Sequence, residues 1–189
     1  LSSIQRDMLV YLGGDSDELM KINAVLAHGP QMLVHTINQN LSLDLQGYVE
    51  INMSGTETII DMMDGIDVDV PDDEGFLYHL NLAIFEQNVL DEGWDNRENY
   101  VADIEEGGLQ RLNGRQALAY MRVRKTDSDY RRTERQREVM ELLLAKFLDQ
   151  NPLKMAQIVR EGLSFVTTDL SGRDIFTMAT SVIPAMKGG

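Results

Sequence analysis

Between Ile66 and Pro71 apolar and acidic residues alternate, with Ile66, Val68 and Val70 out of phase with Asp67 and Asp69. A period of two places one face against a core and the other in water, so the segment reads as a half-buried strand. Pro71, which cannot donate to a ladder, ends it. Helical signals surround this strand. Ser54-Gly55-Thr56-Glu57 reads as a capping box opening a helix through Met63. Ile22, Leu26, Leu33 and Ile37 recur at helical spacing towards Asn38, with a break at Gly29-Pro30. Tyr48, Val49 and Ile51 form a short strand. Phe76 to Leu90 reads as a helix and Asp91 to Asn99 as a polar loop around Trp94. Asn113 is an N-cap for a helix over Gly114 to Tyr120. A long helix follows from Asp129 to Leu148, another starts at Asn151-Pro152, and Ser171 caps a last one through Val182. Gly13-Gly14 and Gly107-Gly108 read as turns.

Alternating helix and strand signals, with no repeats or linkers, predict an α/β class in which helices cover a sheet. The 189 residues, 43% of them hydrophobic, suffice to bury one sizeable core. That core is predicted to include Leu33, Ile51, Ile59, Ile60, Val68, Leu118, Leu142, Phe147, Ile158 and Ile175. The chain has no cysteine, which excludes a disulfide framework, a thiolate metal site and a cysteine nucleophile. The opening residues read as a strand-like run rather than a secretory leader. No stretch approaches the ~18 apolar residues of a membrane-spanning helix.

Charge is distributed unevenly. The formal net charge is −14, yet residues 111–137 hold nine arginines and lysines against three acids, a balance of +6 that leaves −20 elsewhere. Within this segment, Arg122 and Arg124 would share one side of the chain only if Met121-Arg122-Val123-Arg124 were extended, because residues two apart diverge on a helix. Paired guanidinium forks suit phosphate oxygens through bidentate, charge-assisted hydrogen bonds. On the following helix Arg132, Arg135 and Gln136 share a face at i, i+3 and i+4. That face continues into Val139, Leu143 and Phe147, so a ligand with an anionic head and a hydrocarbon tail would match it. Arg131 and Arg137 should point to solvent, and Asp127 and Asp129 lie in the intervening turn. Arginines on an acidic chain are often ordinary surface ion pairs; two periodicities meeting in one short segment favour an anion site.

The same residues carry a family resemblance. Leu112-Asn113-Gly114-Arg115-Gln116-Ala117-Leu118-Ala119-Tyr120-Met121-Arg122-Val123-Arg124, then Thr126-Asp127-Ser128-Asp129 and Arg132-Thr133-Glu134-Arg135-Gln136, resemble the signature of LytR-CpsA-Psr proteins. Ser3-Ile4-Gln5-Arg6-Asp7 is similar to the family's Ser-Ile-Pro-Arg-Asp motif, with Gln5 in place of Pro. Lys21-Ile22-Asn23-Ala24 and Gly65-Ile66-Asp67-Val68-Asp69-Val70-Pro71 match two further motifs in the expected order, so the resemblance spans residues 3–148. It implies a single α-β-α domain over residues 1–189, with a mixed central β-sheet sandwiched between helices. It also implies a place on the extracytoplasmic face of a bacterial membrane. The implied activity is phosphotransfer, dependent on Mg²⁺, moving an anionic glycopolymer such as teichoic acid or capsule polysaccharide from a polyprenyl-pyrophosphate carrier onto peptidoglycan.

By motif position, the resemblance assigns the pyrophosphate to Arg6, Arg122, Arg124, Arg132, Arg135 and Gln136, and the polyprenyl chain to an apolar pocket. Val139, Leu143 and Phe147 are the candidates for that pocket on the residue pattern. The family's metal-binding aspartates lie upstream of the Ser-Ile-Pro-Arg-Asp motif and would precede Leu1, as would its membrane anchor, so no metal ligand is assigned. The alternative reading is a non-catalytic module that retains lipid phosphate or glycopolymer. Nucleic acid is not an expected partner, since the −20 outside the arginine segment would repel a duplex. The acidic run Asp64 to Glu74 lacks the Gly and Glu register of a calcium loop and reads as a solvated strand face and turn. His28 and His35, two helical turns apart, are too distant to share a metal. No Gly-x-Ser-x-Gly elbow is present.

Overall fold

The computed structural model describes residues 3–13, 17–123 and 129–174. In chain order the elements are β1 (Leu9–Tyr11), β2 (Leu19–Lys21), α1 (Ile22–Val25), α2 (Pro30–Leu41), β3 (Val49–Ile51), α3 (Met53–Met62) and β4 (Ile66–Val70). Then come α4 (Glu74–Glu92), β5 (Gly108–Leu112), α5 (Gly114–Arg122), α6 (Asp129–Leu148), α7 (Pro152–Gly162) and β6 (Val166–Thr168). The mixed α/β class holds. Among the described residues the strands pair as three two-stranded antiparallel ladders, β1–β2, β3–β6 and β4–β5, instead of one central mixed sheet. The inner face of β4 is covered by helical residues such as Phe76 and Leu80 in one apolar core. Two compact units result, one over Asn52–Phe165 and one combining Ile4–Ile51 with the chain from Val166.

In the Asn52–Phe165 unit, β4 follows its alternation: Ile66, Val68 and Val70 are buried while Asp67 and Asp69 are exposed. Its partner β5, from Ile66↔Leu112 to Val70↔Gly108, was not expected from the sequence. Gly108 opens that strand at φ 90°, so the predicted Gly107-Gly108 turn passes directly into a ladder. Across the ladder Arg111 donates twice to Asp67, at 2.8 and 3.0 Å. Helix α3 begins earlier than the predicted Ser54 box, because the Asn52 side chain accepts from the Gly55 amide at 2.7 Å and serves as the N-cap. Helix α4 is longer at both ends than predicted. Asp73 caps it by accepting from Phe76 N, and it runs through Asp91 to Glu92 before Gly93 leaves at φ 79°.

Helix α5 forms as expected at its start. The Asn113 side chain accepts from Gln116 N at 2.9 Å, and Gln116 Oε1 accepts from Asn113 N at 3.1 Å, a reciprocal capping box. It then continues past Tyr120 through Met121 and Arg122, which corrects the extended conformation expected there. Helix-favouring Ala117-Leu118-Ala119 propagates the helix until Val123, whose ψ of 127° ends it. The Gly114 amide donates to Asp61 Oδ1 at 2.7 Å, and a Cβ on Gly114 would run into the Glu57 carbonyl oxygen. Beside it the buried Arg115 guanidinium meets Glu57 at 3.1 Å, Asn88 at 2.9 Å, Asp91 at 3.3 Å and Glu92 at 3.4 Å. Burial raises the Glu57 carboxyl above its ordinary value; Arg115 opposes that shift, and Asp91 and Asp61 add to it.

The core contains Ile60, Val68, Leu118 and Ile158 as predicted, with Ile59, Leu142 and Phe147 packed half-buried against its rim. Ile175 lies outside the described residues, as does most of the predicted last helix. In the other unit Val10, Ile22 and Val25 form a small core joined by Leu33, and Ile51 is half-buried. Gly29 at φ 96° followed by Pro30 divides α1 and its 3₁₀ extension from α2, as the sequence indicated. Asn40 bonds both backbone groups of Tyr11, at 2.9 and 2.8 Å, so α2 holds the β1–β2 hairpin.

A Gly114→Ala substitution should destabilise the chain by about 1–3 kcal/mol through overpacking against the Glu57 backbone. Chemical denaturation of the two chains measures the difference.

Candidate functional site

Helix α6 carries a buried stripe of Arg132, Arg135, Val139 and Leu143, while Gln136 is exposed. Buried guanidinium groups require partners. Arg135 Nε donates to the Tyr120 carbonyl at 3.1 Å and Nη2 to the Val123 carbonyl at 2.6 Å. A cation at this end of α5 also complements the negative pole of the helix dipole. The same guanidinium lies 5.2 Å from the Phe76 ring centre and 5.7 Å from that of Tyr120. Those two rings meet edge to face at 5.8 Å. Tyr120 OH donates to Glu138 Oε2 at 3.1 Å, linking α5 to the next turn of α6. Burial, reinforced by the Glu138 carboxylate, holds the Tyr120 phenol well above the ordinary tyrosine range; Arg135 opposes the shift.

These groups border a pocket of 610 Å³, which Asp73, Arg131 and Arg137 also line. Arg131 pairs with Glu134, and Arg137 with Glu141, each at 3.9 Å along α6. Both are exposed, as the sequence predicted, yet they line the same pocket as Arg135 instead of pointing away from it. Further along the helix, Leu143 and Phe147 line a second cavity of 290 Å³ with Ile59, Met63, Leu144 and Ile158. Its wall is almost wholly apolar. Leu143 lies about 12 Å beyond Arg135 along the helix axis. Val139, the third residue assigned to an apolar pocket, is fully buried in the core between them and does not line the cavity.

The remaining predicted residues occupy different places. Arg122, at the end of α5, is exposed and donates to Gln87 Oε1 at 2.7 Å, lining a separate hollow on α4. Arg6 belongs to the other unit, where it meets Asp7 at 3.7 Å; Lys21 meets the same carboxylate at 3.4 Å. The Gln5 carbonyl accepts from Met8 N at 3.1 Å, a turn formed with Gln in the family's Pro position. Arg124 and Asp127 lie outside the described residues. Sequence reasoning did not single out Phe76, Tyr120 and Glu138. Tyr120 falls within the signature, but its pairing with Glu138 depends on how α5 crosses α6. Among the described residues no group of three or more histidine, aspartate or glutamate side chains is placed to hold a metal ion.

Fold and site together define an α/β domain in which one helix leads from buried arginines to an apolar cavity. The sequence profile of the LytR_cpsA_psr family matches residues 1–187, and the chain belongs to that family. It is 31% identical over 196 residues to Biofilm regulatory protein A of Streptococcus mutans, covering 100% of this chain and 43% of that one. It is 31% identical over 173 residues to the polyisoprenyl-teichoic acid–peptidoglycan teichoic acid transferase TagV of Bacillus subtilis, covering 89% of this chain and 40% of TagV. The chain therefore spans less than half the length of these relatives. Among solved structures, a transcriptional regulator from Enterococcus faecalis superposes with a TM-score of 0.73 at 28% identity, over 98% of this chain and 61% of that one. TagT bound to LI-WTA superposes at 0.65 with 26% identity, over 93% of this chain and 59% of TagT.

The Tyr120 phenol is stabilised in its neutral form, so its contribution to stability is intact below the ordinary tyrosine pKa of about 10. That contribution falls as pH rises towards the higher folded value. Ultraviolet titration of tyrosinate should show a step above the ordinary tyrosine range. Tyr120→Phe should remove that late step alone.

Proposed function

We propose that this domain transfers a glycopolymer from a polyprenyl-pyrophosphate carrier to peptidoglycan at the extracytoplasmic face of a bacterial membrane. The observation that carries the reading is the course of α6. Arg132 and Arg135 are buried on one face, and the same helix enters an apolar cavity about 12 Å further on. A headgroup at the arginines and a hydrocarbon chain towards Leu143 and Phe147 would use both. Membership of the LytR-CpsA-Psr family and the similarity to the teichoic acid transferase TagV support the same chemistry. The resemblance also assigns Arg6, Arg122, Arg124 and Gln136 to the headgroup by motif position.

In the reaction, a sugar hydroxyl oxygen of the acceptor attacks the phosphorus bearing the polymer. The new P–O bond forms as the bond to the lipid-side bridging oxygen breaks, and polyprenyl phosphate leaves with that oxygen. The hydroxyl proton passes to solvent. Such a transfer requires positioning and neutralisation of phosphate charge more than a protein nucleophile. The arginines bind and orient the phosphates, and the apolar cavity withdraws the tail from water. Mg²⁺ dependence and membrane placement belong to the same proposal through the resemblance.

Arg135→Ala and Arg122→Ala should each weaken polyprenyl-pyrophosphate binding about 10- to 100-fold, the scale of a lost charge-assisted hydrogen bond. Phe147→Ala should weaken binding of the lipid while leaving inorganic pyrophosphate binding unchanged. Calorimetric titration reads both. Undiminished lipid binding in the arginine variants would overturn the assignment.

A further inference from the structure

The chain's single tryptophan is unexplained by the arginine pocket. Trp94 lies just beyond the end of α4, with 61% of its surface exposed, and its ring meets Phe85 of α4 edge to face at 5.7 Å. Tyr100 also meets Phe85, at 6.1 Å and again nearly perpendicular. The loop that presents these rings is tightly held. Gly93 turns at φ 79° while its amide closes on Val89; Tyr100 OH donates to the Gly93 carbonyl at 2.8 Å, and Asn96 Nδ2 to the Glu92 carbonyl at 2.7 Å. Beyond it the buried Asn88 side chain clamps both backbone groups of Val101, at 2.9 and 3.0 Å. The aromatic group is thus preorganised, although its largest member packs on only one neighbouring ring.

We infer that Trp94, Phe85 and Tyr100 form a docking platform for the uncharged hexopyranose rings of a glycan strand. The axial C–H faces of a pyranose are weakly positive and apolar, and they complement the negative face of an indole or phenyl ring. In the loop from Gly93 to Tyr100 the exposed side chains besides Trp94 are all polar: Asp95, Asn96, Arg97, Glu98 and Asn99. Between residues 86 and 100 there are five acids and one base, Arg97. That balance disfavours an anionic lipid surface or a polyphosphate chain, both of which it would repel. It leaves sugar hydroxyls with abundant acceptors. Phe85 is offset by half a turn of α4 from Phe76, which borders the arginine pocket, so the platform is a separate site. The choice of a glycan rests on the proposed transferase reading, whose acceptor is such a strand; the ring geometry does not.

Chitohexaose, a neutral β-1,4-linked N-acetylglucosamine oligomer, should produce a saturable change in the emission of the intact chain, all of whose tryptophan signal comes from Trp94. Phe85→Ala should weaken that response about tenfold, the value of one aromatic contact, while retaining polyprenyl-pyrophosphate binding. In calorimetry Trp94→Ala should lose the chitohexaose heat with its circular dichroism unchanged. No saturable change, or a shift with phosphatidylglycerol vesicles and none with chitohexaose, overturns the platform and leaves the headgroup site standing. Chitohexaose binding in a chain that does not take polyprenyl pyrophosphate would overturn the transferase reading instead.

Discussion

The clamp on both ends of α5 is the interaction on which the Asn52–Phe165 unit depends. At its start the helix offers unpaired amides, and carboxylate and amide oxygens meet them: Asp61 accepts from Gly114, and Asn113 from Gln116. At its finish the last carbonyls are taken by Arg135, reaching across from α6. Acceptors at the positive pole and a cation at the negative pole both favour the helix dipole. Helix α5 also touches α3, α4 and α6. Its position therefore sets where Tyr120, Arg122 and the arginines of α6 stand relative to one another.

Of the three buried arginines among the described residues of this unit, Arg115 and Arg135 show two kinds of support. Arg115 is surrounded by Glu57, Asp91 and Glu92, contributed by α3 and α4, which ties three helices together around one guanidinium. Breaking one side of such a buried pair leaves an uncompensated charge, a cost of about 3–5 kcal/mol. The raised Glu57 carboxyl shows that desolvation is felt even beside a cation. The contacts of Arg135 include main-chain carbonyls and two aromatic faces. Carbonyls and rings orient a guanidinium without themselves carrying formal charge. The first arrangement fixes the scaffold; the second holds a cation at the wall of a pocket.

What could be read from the sequence was whatever local chemistry determines. The Ile66–Val70 alternation, the Asn113 cap, the Gly29-Pro30 break and the Asn151 cap all concern residues within a few positions of one another. The strand β5 was missed because Leu109-Gln110-Arg111 has no period and leaves Leu109 exposed; it becomes a strand only by pairing with β4. The reading of Met121-Arg122-Val123-Arg124 as extended took a requirement of paired arginines for a property of the backbone, and Ala-rich helix propensity prevailed as far as Arg122. The buried stripe of α6 was visible as spacing. Its exchange of Gln136 for the i, i+3, i+7 sequence Arg132, Arg135, Val139 depends on which way the helix faces.

A net charge of −14 and an arginine-lined helix are compatible because surface fields are screened within about 8 Å at physiological ionic strength. The exposed arginines of α6 are matched by acids one turn away, Arg131 by Glu134 and Arg137 by Glu141. The buried Arg135 is held from outside the helix, through α5. Substituting an exposed arginine thus perturbs a local surface pair, whereas substituting Arg135 removes the C-terminal support of α5 as well as a cation from the pocket wall. Binding and stability measured on the same Arg135 variant are accordingly coupled. A Lys at this position, which keeps the charge but not the fork that reaches both Tyr120 and Val123 carbonyls, separates the electrostatic part from the structural part.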